Sequence, residues 1–109
     1  MRVISAGIFD AGGAARYREQ LRVPDLSLGT YSIPAGADDP QSPHTEDEVY
    51  IVVSGHGTLW TPESSAEAVP GAVLFVPAGE EHRFVEVIED LTVLVVFGPA
   101  VGSGEAGRE

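Results

Sequence analysis

The sequence predicts an all-β sandwich or barrel built as one domain. Thirteen glycines and eight prolines interrupt the 109 residues at short intervals. The runs between them are rich in Val, Ile, Leu, Phe and Tyr, the pattern of short strands joined by turns. A chain of this length supports a single hydrophobic core, and 43% hydrophobic with 21% charged residues is an ordinary globular composition.

In chain order the expected strands are Val3–Phe9, Leu26–Ile33, Glu48–Val53, Thr58–Thr61, Ala66–Val69, Val73–Val76, Arg83–Val87 and Leu91–Phe97. The stretch AARYREQLRV, residues 14–23, is the one expected helix, a turn or two with a thin apolar face of Tyr17 and Leu21. In VVSGHGTLW, residues Ser54, Gly55, His56 and Gly57 suit a tight hairpin, with His56 decorating the turn. Pro77 has no N–H and stops the strand before it, and Gly79 permits the reversal that brings His82 to the start of the next. From Gly98 on, GPAVGSGEAGRE lacks apolar periodicity, so the domain is expected to span residues 1–98 and residues 99–109 to form a flexible tail. GSGEAG within that tail has the glycine spacing of a dinucleotide loop, but no helix can follow it, so the match is set aside.

Six basic residues stand against 17 acidic ones, a formal net charge of -11. Phosphate backbones and anionic membrane surfaces are repelled by such a chain, so neither nucleic acid nor membrane is an expected partner. The absence of cysteine excludes a disulfide framework, a thiol nucleophile and any cysteine-ligated metal, leaving nitrogen and oxygen as donors. The opening MRVISAGIFDAGG is too short and broken for a secretory or membrane-spanning segment, and a cytoplasmic location is expected. Ser64 and Ser65 have no base adjacent in sequence, so a serine nucleophile is not expected.

Two blocks carry the chemistry. The first, SPHTEDEVYIVVSG, crowds His44, Glu46, Asp47 and Glu48 at the mouth of an apolar strand. On extended backbone His44, Glu46 and Glu48 share a face. A carboxylate aimed into a barrel needs a cation or dense hydrogen bonding, which singles out Glu48; Glu46 and Asp47 are expected to face solvent. The second block, GAVLFVPAGEEHRFVE, holds His82 at a strand end beside a rigid turn. Taken alone, His44 reads as a loop imidazole and His82 as a core histidine satisfied by a carbonyl.

Together the blocks resemble the two motifs of the cupin family, small β-barrels that hold a metal. The family's first motif is Gly, five residues, His-x-His, three or four residues, Glu, six residues, Gly. Gly36, Ser42, His44, Glu48 and Gly55 stand at those spacings, with Ser42 in place of the leading histidine. The second motif is Gly, five residues, Pro-x-Gly, two residues, His, three residues, Asn, and Gly71, Pro77, Gly79 and His82 match it, with Glu86 at the asparagine position. The resemblance implies a double-stranded β-helix, a jelly-roll-like antiparallel barrel, with one divalent metal on His44, Glu48 and His82. Such a two-histidine, one-carboxylate set suits non-haem iron(II), and also manganese, nickel, zinc or copper.

Glu86 is then the candidate catalytic acid/base, and Ser42, Tyr50 and Phe84 are expected to line the substrate pocket. Tyr50 and Phe84 share parity with Glu48 and His82. The implied function is metal-dependent chemistry on a small oxygen-bearing substrate, of dioxygenase, isomerase, decarboxylase or cyclase type. The alternative is a non-catalytic small-ligand-binding cupin with weak or no metal, which Ser42 favours. Apolar residues on both faces of Ile51–Val53 and Leu91–Phe97 lead us to expect a homodimer.

Overall fold

The computed structural model describes residues 1–4 and 13–102. Among them the chain forms β1 (Arg16–Val23), β2 (Leu26–Ile33), β3 (Asp47–Trp60), β4 (Ser65–Ala68), β5 (Val73–Val76) and β6 (Arg83–Gly98). All pairings are antiparallel: the order is β1-β2-β6-β3-β4, and β5 adds to the free side of the first half of β3. The all-β expectation holds, and β2 and β5 have the expected bounds. No helix among the described residues is long and apolar enough to cross a membrane.

The inner face follows from period-2 alternation. On β3, Glu48, Tyr50 and Val52 are buried while Val49 and Ile51 between them are half-exposed. Ile33, Val76, Phe84, Leu91, Val93, Val95 and Phe97 complete the core from three other strands.

Three expectations require correction. Residues 14–23 do not form a helix: residues 16–23 are the edge strand β1, because Tyr17 pairs with Tyr31 across β2 and its ring packs edge-on against Tyr31 and Phe97. A barrel edge offers those partners; an isolated helix with two apolar residues has none. Nor does Ser54–Gly57 form a hairpin. β3 runs through it, with register shifts against β6 between Val52 and Thr58, so the extra residues bend a continuous strand. Likewise Arg83–Val87 and Leu91–Phe97 are two halves of the single long strand β6.

Val3 and Ile4 are outside any strand, and the rest of the expected strand Val3–Phe9 lies outside the described residues. Of the expected tail, Ala100 is buried and the Val101 N–H donates to Ser27 Oγ at 2.9 Å, so residues 99–102 pack on the barrel. Residues 103–109, with most of GSGEAG, lie outside the described residues.

Gly55, the last residue of the first motif, sits at the bend with φ +93°, and a Cβ there would come 2.1 Å from the Asp90 carbonyl oxygen. Backbone strain and overpacking add. Gly55→Ala should destabilise the protein by about 3 kcal/mol in a urea titration; an unchanged midpoint would contradict this account of the bend.

Candidate functional site

The two motif blocks are stitched together by backbone. Gly79, at φ +82° in the Pro77–Gly79 turn, donates its N–H to the His44 carbonyl at 2.7 Å. The Ala78 N–H donates to Asp47 Oδ1 at 2.8 Å. Gly36 donates to the Val87 carbonyl at 2.9 Å. Gly79 and Gly36 thus fasten the β2–β3 loop to the turn before β6 and to β6 itself, and histidines from both blocks arrive at one end of the barrel.

There Glu48 and His82 meet. Glu48 lies mid-sheet, opposite Val76 on β5 and Phe97 on β6, and both it and His82 are 2% exposed. His82 Nε2 is 2.7 Å from Glu48 Oε1 and 3.1 Å from the Tyr50 hydroxyl. His82 Nδ1 lies 2.8 Å from the Glu80 carbonyl oxygen, which can only accept, so Nδ1 carries a proton.

The proton at Nε2 follows from a second chain of hydrogen bonds. Asp39, buried in the β2–β3 loop, accepts from the Tyr31 hydroxyl at 2.5 Å, from Gln41 Nε2 at 2.7 Å and from the Phe84 N–H at 2.8 Å. With its nitrogen committed to Asp39, Gln41 turns its oxygen to the Tyr50 hydroxyl, which donates to it at 3.0 Å. The Tyr50 oxygen therefore accepts from His82, and the ring is protonated on both nitrogens opposite a Glu48 carboxylate. Burial works against that charge, but the hydrogen bonds to Glu48 and Glu80 and the negative charges of Glu48 and Asp39 outweigh it, so the His82 pKa rises above its ordinary value. Burial and the Glu48 charge raise the Tyr50 phenol.

One atom is left over: Glu48 Oε2 is buried and has no hydrogen-bond partner among the described residues. His44 stands beside the pair, half-buried, its ring centroid 6.2 Å from that of His82 and 5.0 Å from that of Phe97. As arranged here, no three His, Asp or Glu side chains among the described residues are grouped closely enough to hold a metal ion. Of the expected ligands, Glu48 and His82 are in contact and His44 is their neighbour.

The other expected residues separate. Tyr50 lines a cavity of about 380 Å³ next to the pair, with His44, Gln41, Tyr17, Tyr31 and Phe97 among its walls. Phe84 is buried behind Tyr50, rings edge to face at 4.9 Å, and does not line the cavity; neither does Ser42, which is exposed. Glu86 is exposed and borders a different surface groove with Gly36, Asp38 and Arg83. The reason is a bulge. Glu86 has φ +51°, and the inward alternation of His82 and Phe84 resumes at Val87 instead of residue 86. Glu46, expected in solvent, is buried and takes a hydrogen bond from the Thr45 hydroxyl, whereas Asp47 is exposed as expected. His56 sits in β3, 3.7 Å from the exposed Glu67. Asp39 and Gln41 were missed by sequence reasoning, since both occupy a proline-flanked loop with no strand pattern to orient them.

A curled antiparallel barrel carrying an inward Glu and His at motif spacing defines the class: the chain belongs to the cupin family. The family model described as Cupin domain matches residues 29–97. An uncharacterized protein of Streptomyces coelicolor, SCO3923, is 43% identical over 89 residues, covering 82% of this chain and 85% of its own. KdgF from a Halomonas species superposes with a TM-score of 0.72 at 22% identity, over 84% of each chain. A conserved protein with a double-stranded β-helix domain from Klebsiella pneumoniae superposes at 0.78 with 15% identity, over 91% of this chain and 90% of its own.

Because the folded pKa of His82 lies above the 6.5 of a free imidazole, the Glu48–His82 contact stabilises the fold fully below about that pH. The contribution is lost as the pH rises through the folded value. The Tm of chelator-treated protein should therefore fall as the pH is raised above the 6.5 of a free imidazole, and the fall should shrink in His82→Gln. Equal pH slopes in the two proteins would contradict the assigned protonation.

Proposed function

We propose that this cupin holds a divalent metal ion on Glu48, His82 and His44 and acts on a small oxygen-bearing molecule in the adjoining cavity. The observation that carries the reading is Glu48 Oε2, a buried carboxylate oxygen with no hydrogen-bond partner among the described residues. Burying such an atom costs free energy unless a cation or donor meets it. One carboxylate and two imidazoles are a fitting donor set for iron, manganese, nickel, zinc or copper. A bound divalent ion supplies Lewis acidity towards a carbonyl or enolate oxygen and, as iron(II), a place for dioxygen.

The chain's own residues do the rest. Glu80 holds the Nδ1–H of His82, which fixes the ring and points Nε2 at the site, the usual outer-shell role for a ligating histidine. The Asp39–Gln41–Tyr50 chain keeps the Tyr50 proton on the Gln41 side, so the phenol oxygen presents a lone pair to a donor in the site. The aromatic walls of the cavity limit water around the reacting group. Glu86, outside the cavity, is not placed to move a proton there.

A second reading, a non-catalytic small-ligand-binding cupin with weak or no metal, is favoured by the direct 2.7 Å contact between His82 and Glu48, which satisfies both charges without an ion. Elemental analysis of protein purified without chelators separates the two. The metal reading expects close to stoichiometric metal, lost in His82→Ala and in Glu48→Gln, with affinity falling by more than the roughly 10–100-fold that an outer-shell change costs. Ser42→His should tighten retention. Little metal in the wild type would contradict this reading and leave the second.

We also propose that the chain is cytoplasmic and pairs with a second copy of itself. Val73 and Phe75 on β5 are exposed and lie beside Ile51 and Val49 on the outer face of the sheet, a patch whose burial favours association. Light scattering at micromolar concentration should return twice the 11.4 kDa chain mass, and a monomeric mass would contradict the pairing.

A further inference from the structure

We infer that the cavity beside His44 selects a neutral, flat aromatic molecule of one or two rings bearing a single hydroxyl or carbonyl, and rejects carboxylates. This deepens the reading of the cavity as the ligand site and does not depend on the metal.

Three features carry the inference. The first is the wall. Tyr17 and Tyr31 meet at 6.5 Å and 64°, Tyr17 and Phe97 at 6.3 Å and 79°, and His44 and Phe97 at 5.0 Å and 74°. These rings stand edge to face around the space, and a flat π system extends that arrangement where a puckered one does not. Tyr17 reaches the cavity across Gly29, where a Cβ would meet its hydroxyl at 2.2 Å, so Gly29 leaves room for that wall.

The second feature is the state of the polar groups. The Tyr31 hydroxyl is committed to Asp39, the Tyr50 hydroxyl to Gln41 and His82, and the Gln41 amide nitrogen to Asp39. What the wall offers a ligand is chiefly ring surface, with the His44 ring and the Tyr17 hydroxyl to meet an oxygen. The third is charge. No lysine or arginine is among the described lining residues, the Glu48 carboxylate lies just behind Tyr50 and His82, and the chain carries a net charge of -11. A buried carboxylate on the ligand would have no counter-charge. A volume of about 380 Å³ is at the small end for a ligand pocket and suits a compact molecule.

Calorimetric titration of the chelator-treated full chain with 2-naphthol, 2-naphthoate and decahydro-2-naphthol tests this. The phenol should bind about tenfold or more tightly than the carboxylate and about fivefold more tightly than the saturated alcohol. Tyr17→Ala should weaken it about fivefold, and Ala15→Trp, at another wall position, should abolish binding while circular dichroism remains that of the wild type. The inference is overturned if no probe binds, if the carboxylate or the saturated alcohol binds as well as the phenol, or if neither substitution changes binding. Phenol binding by a chain that takes up no metal would sustain this inference while sinking the metal reading. Metal uptake without phenol binding would do the reverse.

Discussion

A carboxylate and an imidazolium enclosed together in a barrel are the constraint on which this molecule is organised. Stripping either charge of water costs several kcal/mol, and their attraction offsets that only when geometry is good and the remaining polar atoms are satisfied. Glu48 is delivered by the start of β3 and His82 by the turn entering β6, elements that touch because Gly79 and Ala78 donate backbone hydrogen bonds to His44 and Asp47. Loosening that turn would part the charges. Three of the four polar atoms of the pair are engaged, and the exception is Glu48 Oε2, which has no hydrogen-bond partner among the described residues.

The same loop that joins the motifs also sets the chemistry of the cavity. Asp39 gathers Tyr31, Gln41 and the Phe84 backbone, and through Gln41 it fixes the direction of the Tyr50 proton. The phenols of the wall are held neutral: Tyr31 is raised by burial and by Asp39, and Tyr17, although exposed at the sheet edge, has its pKa pushed up to about 12, chiefly by partial desolvation and then by the charge of Glu19. Neutral aromatic walls and a charged pair at one end are thus two outcomes of one hydrogen-bond chain. Polar networks of this kind hold their shape only when every member is satisfied, and Asp39 meets that condition.

Much of the fold was legible because glycine and proline mark the turns and alternation marks the inward faces. Glu48, Tyr50 and Val52 obey it, and the motif spacing put Glu48 and His82 together correctly. The helix expected at residues 14–23 was a misreading of period. Tyr17 and Leu21 are four apart, but Ala15, Tyr17, Leu21 and Val23 also alternate with Arg16, Arg18, Gln20 and Arg22, and the strand pattern won once Tyr31 and Phe97 supplied partners. Gly55 and Gly57 spelled a turn, yet they serve a bend pressed against Asp90. Local sequence cannot tell a reversal from a bulge when the difference lies in a strand 35 residues away. Glu86 was misplaced for a related reason: one residue at φ +51° turned the strand's parity. Asp39 and Gln41 left no local signal, because their importance comes from what the loop folds against.

The most direct measurement is anomalous diffraction from crystals soaked in manganese(II), recorded above and below the manganese edge. The account predicts a single peak per chain within coordinating reach of Glu48, His82 and His44, with the His82–Glu48 hydrogen bond opened to admit it. A barrel with that hydrogen bond intact and no density beside Glu48 Oε2 would contradict it.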